Sequence, residues 1–167
     1  MQNSKFTTAS KVKRRSVLKN IIGDLKSAGK TVVFTNGCFD ILHVGHVRYL
    51  EAARSLGDCL VVAINTDDTV KRLKGDSRPL VPEFERAELI AALECVDYVT
   101  LFSEDTPTEI ITCLQPDIHV KGGDYAADDL PEAKAVKAYG GKIVIIPLVE
   151  GRSTTNIIAK VLESYGS

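Results

Sequence analysis

His43 and His46 stand three residues apart at the end of TNGCFDILHVGH, residues 35–46, just after the apolar run Val32-Val33-Phe34. Three residues is about one helical turn, so a helix beginning near Val44 puts His43 at its cap and His46 in its first turn, facing the same way. Imidazoles placed like this can hold phosphate oxygens. The turn before them, Asn36, Gly37, Cys38 and Phe39, is expected to offer backbone N–H groups, and the helix start adds its positive end. Gly45 is expected to clear room for the ligand. The chemistry these residues point to is a grip on nucleotide phosphates.

Three further clusters could serve the same ligand, and each has a plainer reading. In RLKGDSRP, Lys74 and Arg78 could close over a polyphosphate, or they could be a solvated basic loop. In KGGDY, Gly123 and Asp124 could face a nucleoside, although Gly-Gly-Asp is also common turn chemistry. In GRSTTN, Ser153, Thr154 and Thr155 cap a helix, and the same helix start offers N–H groups and hydroxyls to phosphate oxygens beside Arg152. Both readings of GRSTTN hold together. Cys38 lies inside the phosphate turn, where backbone N–H groups matter more than a thiol. The four cysteines form no CxxC pair and read as free.

Strands alternating with helices must position these clusters. Val32–Phe34, Leu60–Ile64, Tyr98–Phe102, Ile118–Val120 and Lys142–Ile146 read as buried strands. Helices are expected at Arg15–Ala28, from about Val44 to Leu56, at Glu83–Cys95, from Pro107 to Leu114, from Pro131 to Gly140, and at Thr154–Glu163. Residues 65–82 read as a long loop with at most one helical turn. The fold class is therefore α/β, a Rossmann-like doubly wound sheet of five parallel strands with helices on both faces. Ligands in such sheets bind beyond the carboxyl ends of the strands, where the motifs converge.

Size and charge bound the answer further. The 167 residues suit a single domain over 15–167, preceded by a flexible basic tail over 1–14. Net charge is −1, yet residues 1–30 hold eight Lys or Arg against Asp24 alone. Without an interleaved aromatic face, that excess argues against nucleic acid. No stretch has the length of a membrane span or the pattern of a signal peptide, so the expectation is a cytoplasmic protein. GDLKSAGKT, residues 23–31, fails as a Walker A loop, having five residues between its glycines and a strand after it instead of before. No GxGxxG follows the first strand either, which argues against NAD.

The HxGH element resembles the signature of the nucleotidyltransferase superfamily, which includes cytidylyltransferases and class I aminoacyl-tRNA synthetases. TNGCFDILHVGH, RLKGDSRP, VKGGDY and GRSTTNII together, in this order and over nearly the whole chain from about residue 15, resemble the D-glycero-β-D-manno-heptose 1-phosphate adenylyltransferase family. The family occurs as stand-alone enzymes or as the C-terminal half of bifunctional kinase/adenylyltransferases. The resemblance implies transfer of AMP from ATP to heptose 1-phosphate, giving ADP-heptose and pyrophosphate for lipopolysaccharide core synthesis.

Carried over, the resemblance implies that His43, His46 and Lys74 are catalytic contacts to the triphosphate. Asn36–Phe39 and Ser153–Thr155 would bind phosphate oxygens, and Gly123 and Asp124 the nucleoside. Lys74 and Arg78 would reach the substrate, and Asp40 would orient the turn or bind acceptor or Mg²⁺. Mg²⁺ would arrive with ATP, since no dense carboxylate cluster marks a protein-only metal site. A homo-oligomer is implied as well. The alternatives are a cytidylyltransferase or other nucleotidyltransferase acting on an alcohol or sugar phosphate, and a nucleotide-binding module without turnover.

Overall fold

Val32, Val33 and Phe34 have no exposed surface, because their strand is the middle of a sheet covered on both sides. The computed structural model describes residues 7–124, 126–149 and 151–166. Its sheet has the order β3-β2-β1-β4-β5, formed by β1 (Val32–Gly37), β2 (Cys59–Asn65), β3 (Tyr98–Phe102), β4 (Ile118–Gly122) and β5 (Lys142–Ile146). Every pairing is parallel, with Val33 opposite Leu60 on one side and Ile118 on the other.

Alternate strand residues feed two cores. Val33, Leu60, Val62, Ile64 and Val99 face α3 (Val44–Arg54) and α5 (Glu83–Ala91), through Leu50, Ala53, Ala87 and Ile90. Val32, Phe34, Val61 and Ala63 face α2 (Arg15–Ser27), α6 (Thr108–Leu114) and α7 (Ala133–Ala138), through Leu18, Ile22, Ile110, Ile111 and Val136. This two-sided burial is what the continuous apolar strand runs require. The fold is the expected five-stranded parallel one.

Three boundaries differ from expectation. Residues 65–82 are not a loop throughout, since α4 (Asp67–Lys74) forms two turns there. Its acidic start, Asp67-Asp68, and basic end, Lys71, Arg72 and Lys74, complement the helix dipole, while only Thr69 and Val70 are buried. A helix with so narrow a buried stripe leaves little periodic signal. Helix α5 stops at Ala91, short of Cys95, and β4 runs on through Lys121 and Gly122.

Residues 7–14 are not a free tail. Thr8–Lys11 forms a short helix, α1, and Val12 bridges Val99 so that the Lys13 N–H donates to the Val99 carbonyl along the edge of β3. Lys11 donates to the carbonyls of Leu93 and Val96, and Arg15 holds both oxygens of Glu104. Lys26 and Lys30 pair with Asp117 and Asp58. Three of the eight basic residues in 1–30, Arg15, Lys26 and Lys30, therefore answer acids of the folded chain. Residues 1–6 and Tyr125 of the KGGDY motif lie outside the described residues. Among the described residues no helix is long and apolar enough to cross a membrane.

Because α2 covers the sheet through fully buried Leu18, Leu18→Ala should lower unfolding free energy by about 2–5 kcal/mol in urea titrations. A change under about 0.5 kcal/mol would mean that α2 is not part of the core.

Candidate active site

Strand order reverses between β1 and β4, so a crevice opens beyond their carboxyl ends. Asn36-Gly37 ends β1, and the chain turns through Phe39 at φ +48°, a left-handed conformation unusual for a bulky residue. Two buried polar groups hold this turn. Arg86, with no exposed surface, donates to the carbonyls of Cys38, Asn65 and Val81 and to the Asp67 carboxylate. Asp40, 2 % exposed, accepts from Arg78 and from the Leu80 and Val81 N–H groups.

His43 is the N-cap of α3 and His46 lies in its first turn, as the spacing requires. Their rings stack with centroids 3.8 Å apart, and Phe39 packs beside His46 at 5.2 Å. Burial pushes the His46 imidazole down to about 4, helped by His43, and burial with nearby Arg152 lowers His43. Both rings are therefore neutral at pH 7. The Nδ1 atoms of both, and Asn36 Oδ1, are buried without a hydrogen-bond partner among the described residues. Gly45 does make room, but for His43 itself, whose ring would lie 2.9 Å from an added Cβ.

The opposite wall comes from β4 and α8 (Thr154–Tyr165). An added Cβ at Gly122 would come within 2.8 Å of Leu148 and 3.2 Å of Tyr49, so glycine is needed for close packing there. Tyr49 bonds Thr35 and the Val120 carbonyl, locking α3 to β1 and β4. Ser153 caps α8 by accepting the Asn156 N–H, and Thr154 donates to the Ile41 carbonyl beside the first helix start. Two helix N-termini thus meet over one crevice.

The crevice has two lobes. One, about 280 Å³, is lined by the turn, both histidines, Lys121, Gly122, Arg152, Ser153 and Thr154. The other, about 630 Å³, shares Asn36–Phe39, His46 and Lys121 and adds Asp40, Asn65, Lys74, Arg78, Glu132 and Thr155. Nearly all the sequence candidates therefore converge. Gly123 and Asp124 do not line either lobe, and Asp124 is exposed. Lys121 and Gly122 occupy the corresponding wall because β4 extends two residues beyond expectation.

Asp40 accepts from Arg78 at one oxygen and from the Leu80 and Val81 N–H groups at the other, contacts that tie residues 78–81 to the turn. Arg78 is partly committed to Asp40, whereas Lys74 is exposed and reaches the larger lobe. Burial raises the Cys38 thiol, which disfavours a thiolate nucleophile. Among the described residues no three His, Cys, Asp or Glu side chains form a metal-ligand set. Arg86 and Tyr49 carry no motif, and only their burial in the fold identifies them.

A sequence model described as cytidylyltransferase-like matches residues 34–160. The bifunctional protein HldE of Trichlorobacter lovleyi is 58% identical over 156 residues, covering 93% of this chain and 32% of that protein. HldE of Geobacter sulfurreducens is 54% identical over 157 residues, covering 94% of this chain and 32% of that protein. The chain thus spans about a third of the length of these curated relatives. The crystal structure of a lipopolysaccharide core biosynthesis protein from Thermoplasma volcanium superposes with a TM-score of 0.59 at 30% identity, covering 74% of this chain and all of that one.

Replacing Arg86 by Met removes four N–H donors from one buried and three partly buried acceptors and should cost about 3 kcal/mol of stability in denaturant titrations. A loss under about 0.5 kcal/mol would show that the turn holds without it. For His46, the folded value of about 4 lies below the ordinary 6.5, so the unfolded chain binds more protons between them. The free protein should accordingly lose stability as pH falls from about 6.5 toward 4. A polyphosphate in the crevice favours the charged imidazole, so calorimetry in buffers of different ionisation enthalpy at pH 7 should show proton uptake on ATP binding. Equal enthalpies across buffers would show that both imidazoles stay neutral when the phosphates bind.

Proposed function

The chain belongs to the cytidylyltransferase-like family of nucleotidyltransferases, and on that premise we propose that it transfers AMP from ATP to D-glycero-β-D-manno-heptose 1-phosphate, releasing ADP-heptose and pyrophosphate. The observation that carries the reading is the pair of stacked, neutral histidines, with unpartnered ring nitrogens, set between two helix N-termini. The heptose assignment is supported by the motif resemblance, by the similarity to HldE proteins and by the lipopolysaccharide core biosynthesis neighbour.

The sugar phosphate oxygen attacks the α-phosphorus in line, and the bond to pyrophosphate breaks without a covalent enzyme intermediate. Such transfer depends on positioning and on charge neutralisation. His43 and His46 would take phosphate oxygens together with the N–H groups of Asn36–Phe39, while Ser153–Thr155 and Arg152 would hold them from α8. Lys74 and Arg78 would approach from the larger lobe, Lys74 from the exposed end of α4. In this reading Gly123 and Asp124 stand outside the lobes, and the nucleoside contacts fall to Gly122, Leu148 and Val149. Mg²⁺ would enter as part of the ATP complex, held by phosphate oxygens and water.

The family description keeps a cytidylyltransferase acting on an alcohol or sugar phosphate as the second reading. Pyrophosphate release measured with ATP, CTP, GTP and UTP, each with heptose 1-phosphate, separates the two. ATP is expected to be preferred, and a preference for CTP would sink the assignment. His46→Ala should lower kcat by more than about tenfold, or 1.4 kcal/mol, through lost stabilisation of phosphate charge. A smaller fall would remove His46 from the transition state. No turnover with any nucleotide would leave a binding module. We also take the enzyme to be a cytoplasmic homo-oligomer acting on small molecules, and sedimentation velocity reads its assembly.

A further inference from the structure

Beneath the wall shared by the two lobes lies a polar chain that the residue assignments above do not use. His119, on β4, has no exposed surface, and its ring packs at 5.7 Å from Phe34. Its Nε2 meets Glu132 Oε1 at 2.9 Å. Glu132 is itself 1 % exposed at the start of α7, and Lys121 Nζ sits 3.5 Å from the same Oε1. His119 and Lys121 lie two apart on one strand, so both face the same side and can share one carboxylate.

A carboxylate removed from water is costly unless partners meet it. Glu132 is nonetheless held as the anion, well below the ordinary carboxylate range, by the His119 hydrogen bond and the Lys121 charge. At 3.5 Å the Lys121 contact is longer than the ~2.8 Å of a charge-assisted hydrogen bond. The carboxylate therefore fixes where the ammonium sits while leaving its N–H groups available. Lys121 lines both lobes, alongside His46 and the phosphate turn. A cation at that boundary lies where the attacking phosphate of one substrate must approach the α-phosphate of the other.

We propose that Lys121 is a catalytic cation that binds the acceptor's phosphate at the junction of the lobes, and that Glu132, oriented by buried His119, is its positioning residue. The larger lobe suits a phosphorylated polyol: Lys74 and Lys121 supply positive charge, and Asn65 supplies polar atoms for hydroxyl groups. Asp40 and Asp105, the other carboxylates of that lobe, are already matched by Arg78 and Arg72. This assignment rests on the transferase reading above. Wild-type turnover with heptose 1-phosphate tests that reading alone, before any variant is compared.

The test is a double-mutant cycle on the full chain, with kcat and KM measured for each substrate and heptose 1-phosphate binding followed by calorimetry. Lys121→Ala should raise KM for the sugar phosphate at least about tenfold and lower kcat, with KM for ATP changed by less than about threefold, while Lys121→Arg restores most of the loss. Glu132→Gln should show the same split more weakly. It should add nothing when combined with Lys121→Ala, because it acts through the lysine. Additive losses, or equal effects on both substrates, would overturn the positioning role. Unchanged sugar-phosphate binding in Lys121→Ala would overturn the site. If Glu132→Gln does not fold, Glu132→Asp, which keeps the charge but withdraws it by one methylene, takes its place in the cycle. The same outcomes then decide the matter.

Discussion

Arg86 is the constraint from which the site's geometry follows. A guanidinium with no exposed surface must have its donors met, and here they are met by the carbonyls of Cys38, Asn65 and Val81 and by Asp67. Those acceptors belong to the turn after β1, the end of β2, the segment before α5 and the start of α4. One side chain on α5 thereby fixes four pieces of backbone relative to one another. The left-handed Phe39 conformation lies next to a carbonyl so held, and its modest strain is tolerated because the surroundings over-determine it. Asp40 does the complementary task with opposite charge, gathering Arg78 and two N–H groups from residues 80 and 81. Together the two groups set the segment after Lys74 against the phosphate turn.

Much of this arrangement was legible in the sequence. Five apolar strand runs, the break at Asn36-Gly37 and the three-residue histidine spacing are local signals, and each corresponds to an observed element. The positions that escaped are those whose meaning depends on distant partners. Arg86 looks like any charged residue on the outer face of a helix, and only the meeting of β1, β2 and α4 makes it internal. Helix α4 hides because a mostly exposed helix carries its evidence in charge order at the two ends more than in apolar period. Asp124 shows the opposite case. Its motif is conspicuous, but β4 continues to Gly122, so the wall of the crevice is made by Lys121 and Gly122, and exposed Asp124 lines neither lobe.

Glycine shows the same dependence on context. The position between the histidines suggests clearance for a ligand, yet the space above Gly45 is taken by the His43 ring and Arg152. Gly122 has the same effect on the facing wall, letting Leu148 and Tyr49 close in. These two glycines therefore shape the crevice indirectly, through the aromatic and aliphatic groups they admit.

Charge completes the account of why the crevice favours an anion. Two imidazoles stacked at 3.8 Å cannot easily both be protonated, and burial keeps them neutral, so the free site carries less positive charge than its histidines could supply. The permanent cations stand around them. Arg152 lies on the α8 side, Lys121 at the shared wall, and Lys74 on the exposed end of α4. A neutral ligand would bring no charge to these cations, of which Lys121 already faces Glu132, and would leave the ring nitrogens without a charged partner. A polyphosphate answers both at once, because its oxygens pair with the fixed charges and its field raises the affinity of the imidazoles for protons. Positive charge can thus grow with ligand binding instead of being held permanently in a buried place, and the free protein avoids confining two like charges to one helical turn.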